Sequence, residues 1–272
     1  MRYFMTFSYD GSNFYGYQRQ PRVRTVEKEI EDCLKEINGG KNVTIVASGR
    51  TDAGVHALAQ KAHFDLDTKI TTDKLHKAMN SLLPDDIYIK QIEEVSDNFH
   101  ARYNVIGKEY IYKINMGEYN PIERNYIYQY CHRLDLASME RALKYLEGEH
   151  NFKSFTKANS EITDYVRKIS VTSIERDSKD LNKIVITFVG TGFLRYMVRN
   201  MVGLLIEIGE GKHTPEDVMD ILKQEDRTFA GITAPACGLY LRNVFYWLTI
   251  YKKKSIIIDE WRLLNWKKQI LF

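Results

Sequence analysis

Twice along this 272-residue chain, segments whose apolar residues recur at every second position bracket segments where they recur every three to four, in the order β-α-β-β-α-β. In the first half, Tyr3, Met5, Phe7 and Tyr9 alternate with Phe4, Thr6 and Ser8, the period of a strand. Thr25 stands where a cap belongs, before a helix over Val26–Asn38 that Gly39-Gly40 stops. Val43–Ala47 reads as a short strand, and Ala62, Phe64 and Leu66 alternate with Lys61, His63 and Asp65 in another. A helix opening at Thr72 or Asp73 runs to about Leu82, Pro84 ends it, and Asp86–Val95 is a strand.

The second half repeats the order: a strand over Lys108–Met116, a helix over Leu136–Leu146 with Gly148 as terminator, and paired strands over Tyr165–Arg176 and Lys183–Gly190. A long helix over Leu194–Ile208, a shorter one after Thr214-Pro215 and a closing strand over Leu239–Tyr251 follow. The expected fold class is α+β: two tandem units of ferredoxin-like order, forming a mixed, mainly antiparallel sheet flanked by helices. The boundary falls near residues 97–107, giving domains 1–104 and 105–251 and an extension 252–272. This topology hosts many functions, so function has to come from a site.

Composition removes several classes. With 44% hydrophobic and 28% charged residues the chain is neither disordered nor fibrous, and no apolar run is long enough to span a membrane. The start, Met1 to Phe7, enters strand alternation with no cleavage site, so a soluble, cytoplasmic protein is expected. Cys33, Cys131 and Cys237 are too scattered for a disulfide framework or a CxxC metal site. No His-x3-His pair, GxGxxG or phosphate-binding Walker loop occurs, so neither a metal nor a nucleotide cofactor is expected. Net charge is +3, yet residues 252–268 hold +4 of it; a solvated face is the simpler reading of that cluster and of the Arg19, Arg22, Arg24 knot. The tail also carries Ile256–Ile258, Trp261, Leu263, Leu264, Trp266 and Ile270–Phe272, too apolar to be free. It either covers an exposed edge or adds a basic rim for RNA.

The most informative stretch is Ala47-Ser48-Gly49-Arg50-Thr51-Asp52-Ala53-Gly54-Val55-His56-Ala57, between two strands. Gly49 and Gly54 free the backbone for a tight path, and Asp52 sits at the tip. Arg50, two residues before it, favours an ionised carboxylate against the effect of burial, which is what a carboxylate nucleophile needs. On spacing alone, an Asx-type turn is the simpler reading. Phe7-Ser8-Tyr9-Asp10-Gly11-Ser12 faintly resembles the nucleophile loop of haloacid-dehalogenase-type phosphatases, but Ser8 occupies the nucleophile's position.

The stretch closely resembles the signature loop of the TruA-type tRNA pseudouridine synthases, unbroken from Gly49 to Ala57 and with the family's Gln at Gln60. Tyr9 to Gln20 resembles the family's first motif, Lys108-Glu109-Tyr110-Ile111-Tyr112 its aromatic strand, Phe193 to Gly203 its long helix, and Gly238-Leu239-Tyr240-Leu241 its closing strand. The resemblance runs from about residue 2 to residue 247. It implies that Asp52 is the nucleophile, that Tyr110 stacks on the target uracil, that Arg199 pairs with the nucleophile, and that Leu239 is the apolar wall. Arg195 and Arg199 are four apart and so share a face of the expected helix, with Arg195 at most a phosphate contact. Tyr110 and Tyr112 share a strand face, and core packing is the alternative for both. Ser48 and Glu27 depart from the common pattern and are expected to matter little.

The resemblance implies conversion of uridine to pseudouridine at positions 38, 39 and 40 in the anticodon arm of tRNA. It implies no cofactor or metal, and a homodimer with the RNA across both subunits. A non-catalytic RNA-binding protein on the same scaffold is the rival reading. An aspartate facing an anionic ligand weighs against it.

Overall fold

The computed structural model describes residues 1–67, 69–157 and 162–247, and the extension 252–272 lies outside the described residues. The fold is α+β. The described residues divide into two compact units, one within residues 1–105 with 236–244, the other within residues 106–235 with 245–247.

In the first unit, β1 (Arg2–Tyr9) obeys its alternation throughout: Tyr3, Met5, Phe7 and Tyr9 are buried, and the residues between them are half-buried. Antiparallel neighbours lie on both its sides, β3 (His56–Asp65) and β4 (Ile87–Val95). β2 (Val46–Ala47) is shorter than the expected Val43–Ala47 and pairs antiparallel with β3 at Ala62 and His63. α1 (Val26–Ile37) buries Val26, Ile30, Cys33 and Leu34, one stripe at helical spacing. Thr25 precedes it in extended conformation, but its hydroxyl makes no capping bond. α2 (Thr72–Leu82) buries Leu75 and Met79, one turn apart, and ends before Pro84.

In the second unit, β5 (Val105–Asn115) pairs antiparallel with β9 (Lys183–Gly190), β9 with β8 (Val166–Arg176), and β8 with β7 (Gly148–Asn151). β6 (Tyr128–Gln129) runs parallel beside the end of β5. α3 (Leu136–Leu146) spans the expected residues, and the Asp135 side chain accepts from the Ala137 and Ser138 N–H groups at its start. Gly148 does not merely stop this helix; at φ +105 it opens β7. α4 (Met197–Gly209) has 11 of its 13 residues buried, so it is enclosed on nearly all sides. The helix α5 (Asp217–Gln224) follows.

Both units place the first and third strands of their order side by side, β1 with β3 and β5 with β9, and the second outside the third. The closing strand departs from expectation. β10 (Leu239–Tyr246) pairs in parallel with β3, Tyr240 opposite His56 and Leu241 opposite Ala57, and the segment Ala236–Val244 belongs to the first unit. Among the described residues no helix is long and apolar enough to cross a membrane.

Candidate active site

The loop Ser48–Val55 joins β2 to β3, and its path is held by the segment that follows β1. The Tyr17 N–H donates to the Thr51 carbonyl at 3.1 Å, and the Gly54 N–H donates to the Phe14 carbonyl at 3.3 Å. Tyr9 Oη and Thr51 Oγ1 share a hydrogen bond of 2.8 Å. The Gly11 N–H donates to His56 Nδ1 at 3.1 Å, and Asp10 Oδ1 lies 3.2 Å from the same nitrogen. The His56 ring, 2% exposed, stacks on Tyr240 of β10 at 4.6 Å. A side chain at residue 11 would not fit: a Cβ there would lie 2.1 Å from the Val55 carbonyl oxygen. The Tyr9–Gln20 segment and the Asp52 loop are one construction.

At the tip, the Val55 N–H closes a turn onto the Asp52 carbonyl at 3.2 Å. Gly54 takes its third place at φ +77, where glycine is favoured. Gly49, expected to share that freedom, does not need it: its φ is not positive. Asp52 itself is half-buried between buried Thr51 and exposed Ala53. Arg50 is exposed, and its charge, with that of Arg19, opposes the effect of burial on the Glu27 carboxyl.

Below the loop, Ser48 and Gln60 bond to each other and to the backbone. Gln60, 0% exposed, accepts from Ser48 Oγ at 2.7 Å and the Lys61 N–H at 3.1 Å, and donates from Nε2 to the Gly49 carbonyl at 3.0 Å. Ser48 is therefore more than a tolerated departure: it anchors the base of the loop. Glu27, the other departure, accepts from the Arg19 N–H at 2.6 Å, and burial raises its carboxyl above the usual range. Burial also pushes the Tyr9 phenol up to about 12, with Thr51 and Gln60 opposing, so it remains protonated at neutral pH. Leu239 is buried at the start of β10, in this unit.

The second unit holds Tyr110, Arg195 and Arg199. Tyr110 lies on β5 opposite Phe188, 8% exposed, its ring edge-on to Phe193 at 5.0 Å. Tyr112, on the same strand face, is a core residue, fully buried, with its hydroxyl donating to the Pro235 carbonyl at 2.7 Å.

The expected helix from Leu194 begins three residues late, at Met197, because Tyr196 takes a left-handed conformation at φ 65. Arg195 precedes the helix, so the two arginines do not share a helical face. They meet through Tyr196 instead: the Cζ atoms of Arg195 and Arg199 lie 5.2 and 5.1 Å from its ring centre. Arg199, half-buried, also donates from Nε to the Ala234 carbonyl at 2.8 Å, whereas Arg195 is exposed. Among the described residues no group of three or more His, Cys, Asp or Glu side chains is placed to hold a metal ion.

Known proteins resemble this chain over most of its length. Residues 5–104 and 142–247 match a family described as tRNA pseudouridine synthase, which leaves Tyr110 outside the matched stretches. The tRNA pseudouridine synthase A of Limosilactobacillus reuteri strain DSM 20016 is 45% identical over 248 residues, covering 90% of this chain and 96% of the relative. Its namesake from Listeria monocytogenes serotype 4b is 45% identical over 247 residues, 90% and 99% of the two chains. That of Geobacillus sp. strain WCH70 is 43% identical over 242 residues, 89% and 96%. Matches of this extent take in both units, and this chain belongs to the tRNA pseudouridine synthase family, enzymes of the isomerase class.

Proposed function

We propose that this enzyme converts uridine to pseudouridine at positions 38, 39 and 40 in the anticodon arm of tRNA, with Asp52 as nucleophile. The observation that carries the reading is the Asp52 loop itself: a half-buried carboxylate on a turn whose backbone is tied down at Thr51, Gly54 and Val55. Binding RNA alone gives no reason to spend that rigidity on a negative charge.

The reaction breaks the N1–C1′ bond, turns the uracil in place and joins C5 to C1′, with loss of the C5 proton and gain of one at N1. A carboxylate serves it by attack at ribose C1′ or at uracil C6. Tyr110 stacks on the extruded base and assists removal of the C5 proton, and Leu239 is an apolar wall for the uracil. Arg199 and Arg50 supply positive charge for the nucleophile and for phosphate, and Arg195 contacts phosphate. No cofactor is needed, since substrate and product are isomers. The enzyme works as a cytoplasmic homodimer on tRNA.

The test is Asp52→Asn, which keeps shape and removes charge. Tritium release from tRNA labelled at uracil C5 should be abolished while tRNA affinity holds level or rises. Residual turnover within roughly tenfold of the parent enzyme would remove Asp52 from the mechanism.

A further inference from the structure

The segment Gly231–Pro235 crosses α4 as a strap. Asn200, Gly203 and Glu207 of α4 lie three and four apart, on one helical face, and the strap rests on that face. A Cβ at Gly203 would lie 1.8 Å from the Ile232 carbonyl oxygen, and one at Gly231 would lie 1.8 Å from Glu207 Oε2. The near end of the strap is held by Arg227, in the short 3-10 turn before it. Arg227 Nη1 donates to the Gly231 carbonyl at 2.8 Å, and Nη2 donates to Thr233 Oγ1 at 2.8 Å and to Asn200 Oδ1 at 3.1 Å. Thr233 Oγ1 donates to the same Asn200 oxygen at 2.6 Å, and the fully buried Asn200 donates onward to the Phe155 carbonyl at 2.7 Å. At the far end, Ala234 exchanges two bonds with Arg199: its N–H donates to the Arg199 carbonyl at 3.1 Å, and its carbonyl receives Arg199 Nε at 2.8 Å.

We propose that Arg227 is a positioning residue for Arg199: its fork onto Gly231, Thr233 and Asn200 sets the path of the strap, and with it the Ala234 carbonyl that aims the Arg199 guanidinium. A planar fork with donors on two nitrogens suits this task, and a lysine ammonium does not reproduce it. Glu207 lends the guanidinium charge compensation from α4, while burial pulls its pKa below the ordinary value. The inference rests on the reading that Arg199 serves the reaction.

The experiment combines Arg227→Gln, Arg227→Lys and Arg199→Ala with the double variant Arg227→Gln/Arg199→Ala, on the full chain. Single-turnover tritium release gives the chemical step, tRNA titration gives affinity, and hydrogen exchange reads the Ala234 N–H. Arg227→Gln should slow the chemical step about ten- to a hundredfold with tRNA affinity within about twofold, since misaiming a positioned group costs rate rather than binding. It should also speed exchange at Ala234. Arg227→Lys, which keeps the charge, should fall between, and serves alone if the glutamine variant does not fold. In the double variant the Arg227 change should add nothing to the loss from Arg199→Ala.

Additive losses, or a lower melting temperature with an unchanged chemical step, would overturn the proposal. Unchanged exchange at Ala234 would refute the clamp while leaving the role of Arg199 intact. A harmless Arg199→Ala with faster Ala234 exchange in Arg227→Gln would refute the underlying reading and keep only the clamp.

Discussion

The two units share an order of strands and helices but load opposite parts of it. In the first, the connection between the second and third strands is the Ser48–Val55 loop, whose backbone is bonded to another segment of the chain. Its second helix, α2, buries only Leu75 and Met79. In the second unit the corresponding connection is a turn closed on itself, the Asp177 N–H donating to the Lys183 carbonyl at 2.8 Å and the Lys183 N–H to the Asp180 carbonyl at 2.9 Å. Its second helix, α4, is the enclosed one and carries Arg199. One topology thus has two places to elaborate, and each unit builds up a different one: the loop between the second and third strands in the first, the second helix in the second.

Four measurements can break or sharpen this contrast. The largest effect is expected at Arg199, anchored at Ala234 and on Tyr196. Arg199→Ala should slow turnover about 10²-fold or more, while Arg195→Ala, at an exposed residue before the helix, should change it far less. Equal losses would move the second unit's contribution off α4.

Next comes Gly11→Ala, which drives a methyl group toward the Val55 carbonyl oxygen. Overpacking of this kind costs about 1–3 kcal/mol, read as a lower urea midpoint, and turnover should fall further than stability because the Asp52 loop must shift. Unimpaired turnover would show that the loop does not depend on the segment after β1.

A smaller effect is expected at His63, whose pKa burial lowers to about 4, aided by the charge of Arg2. The unfolded chain binds a proton near pH 6.5 and the folded one does not until about pH 4. The contribution of His63 is therefore full above pH 6.5 and lost as pH falls toward 4. The first unit's stability should drop by roughly 1 kcal/mol per pH unit at the steepest part of that window. Urea midpoints of the parent protein and His63→Gln, measured across it, should converge toward low pH. Parallel curves would discount His63.

The smallest effect is expected at Lys179→Ala in the β8–β9 turn, within about 0.5 kcal/mol in stability and with no change in turnover. A loss of activity there would give that turn a role of its own.

Much of this plan was legible in the residues. The alternation in β1 and the helical spacing of α3 predict elements at the observed positions, because each buries one apolar face. Gly49–Ala57 is recognisable as a loop between two strands, and it carries the resemblance to the family. What escaped has a physical reason in each case. β7 is polar and four residues long, and Gly148 signals termination as readily as a strand start. The late start of α4 turns on a left-handed tyrosine, a conformation no local pattern announces. The Arg227 fork and the Gly11–Val55 contact join residues far apart in the chain, so nothing periodic points to them. β10 reads as a strand from its own sequence, but the choice of β3 as partner is a property of the folded chain.

That choice has a consequence during translation. The first unit's strands β1 to β4 are complete by Val95, yet His56 must wait for Tyr240. At about 5–20 residues per second a ribosome spends on the order of ten seconds over the intervening stretch. Throughout that interval the His56 edge of β3 has no β10 beside it. Until then that edge offers unpaired backbone to premature strand pairing, and synonymous codons that slow synthesis between residues 105 and 239 should lower the yield of active enzyme without altering a single side chain.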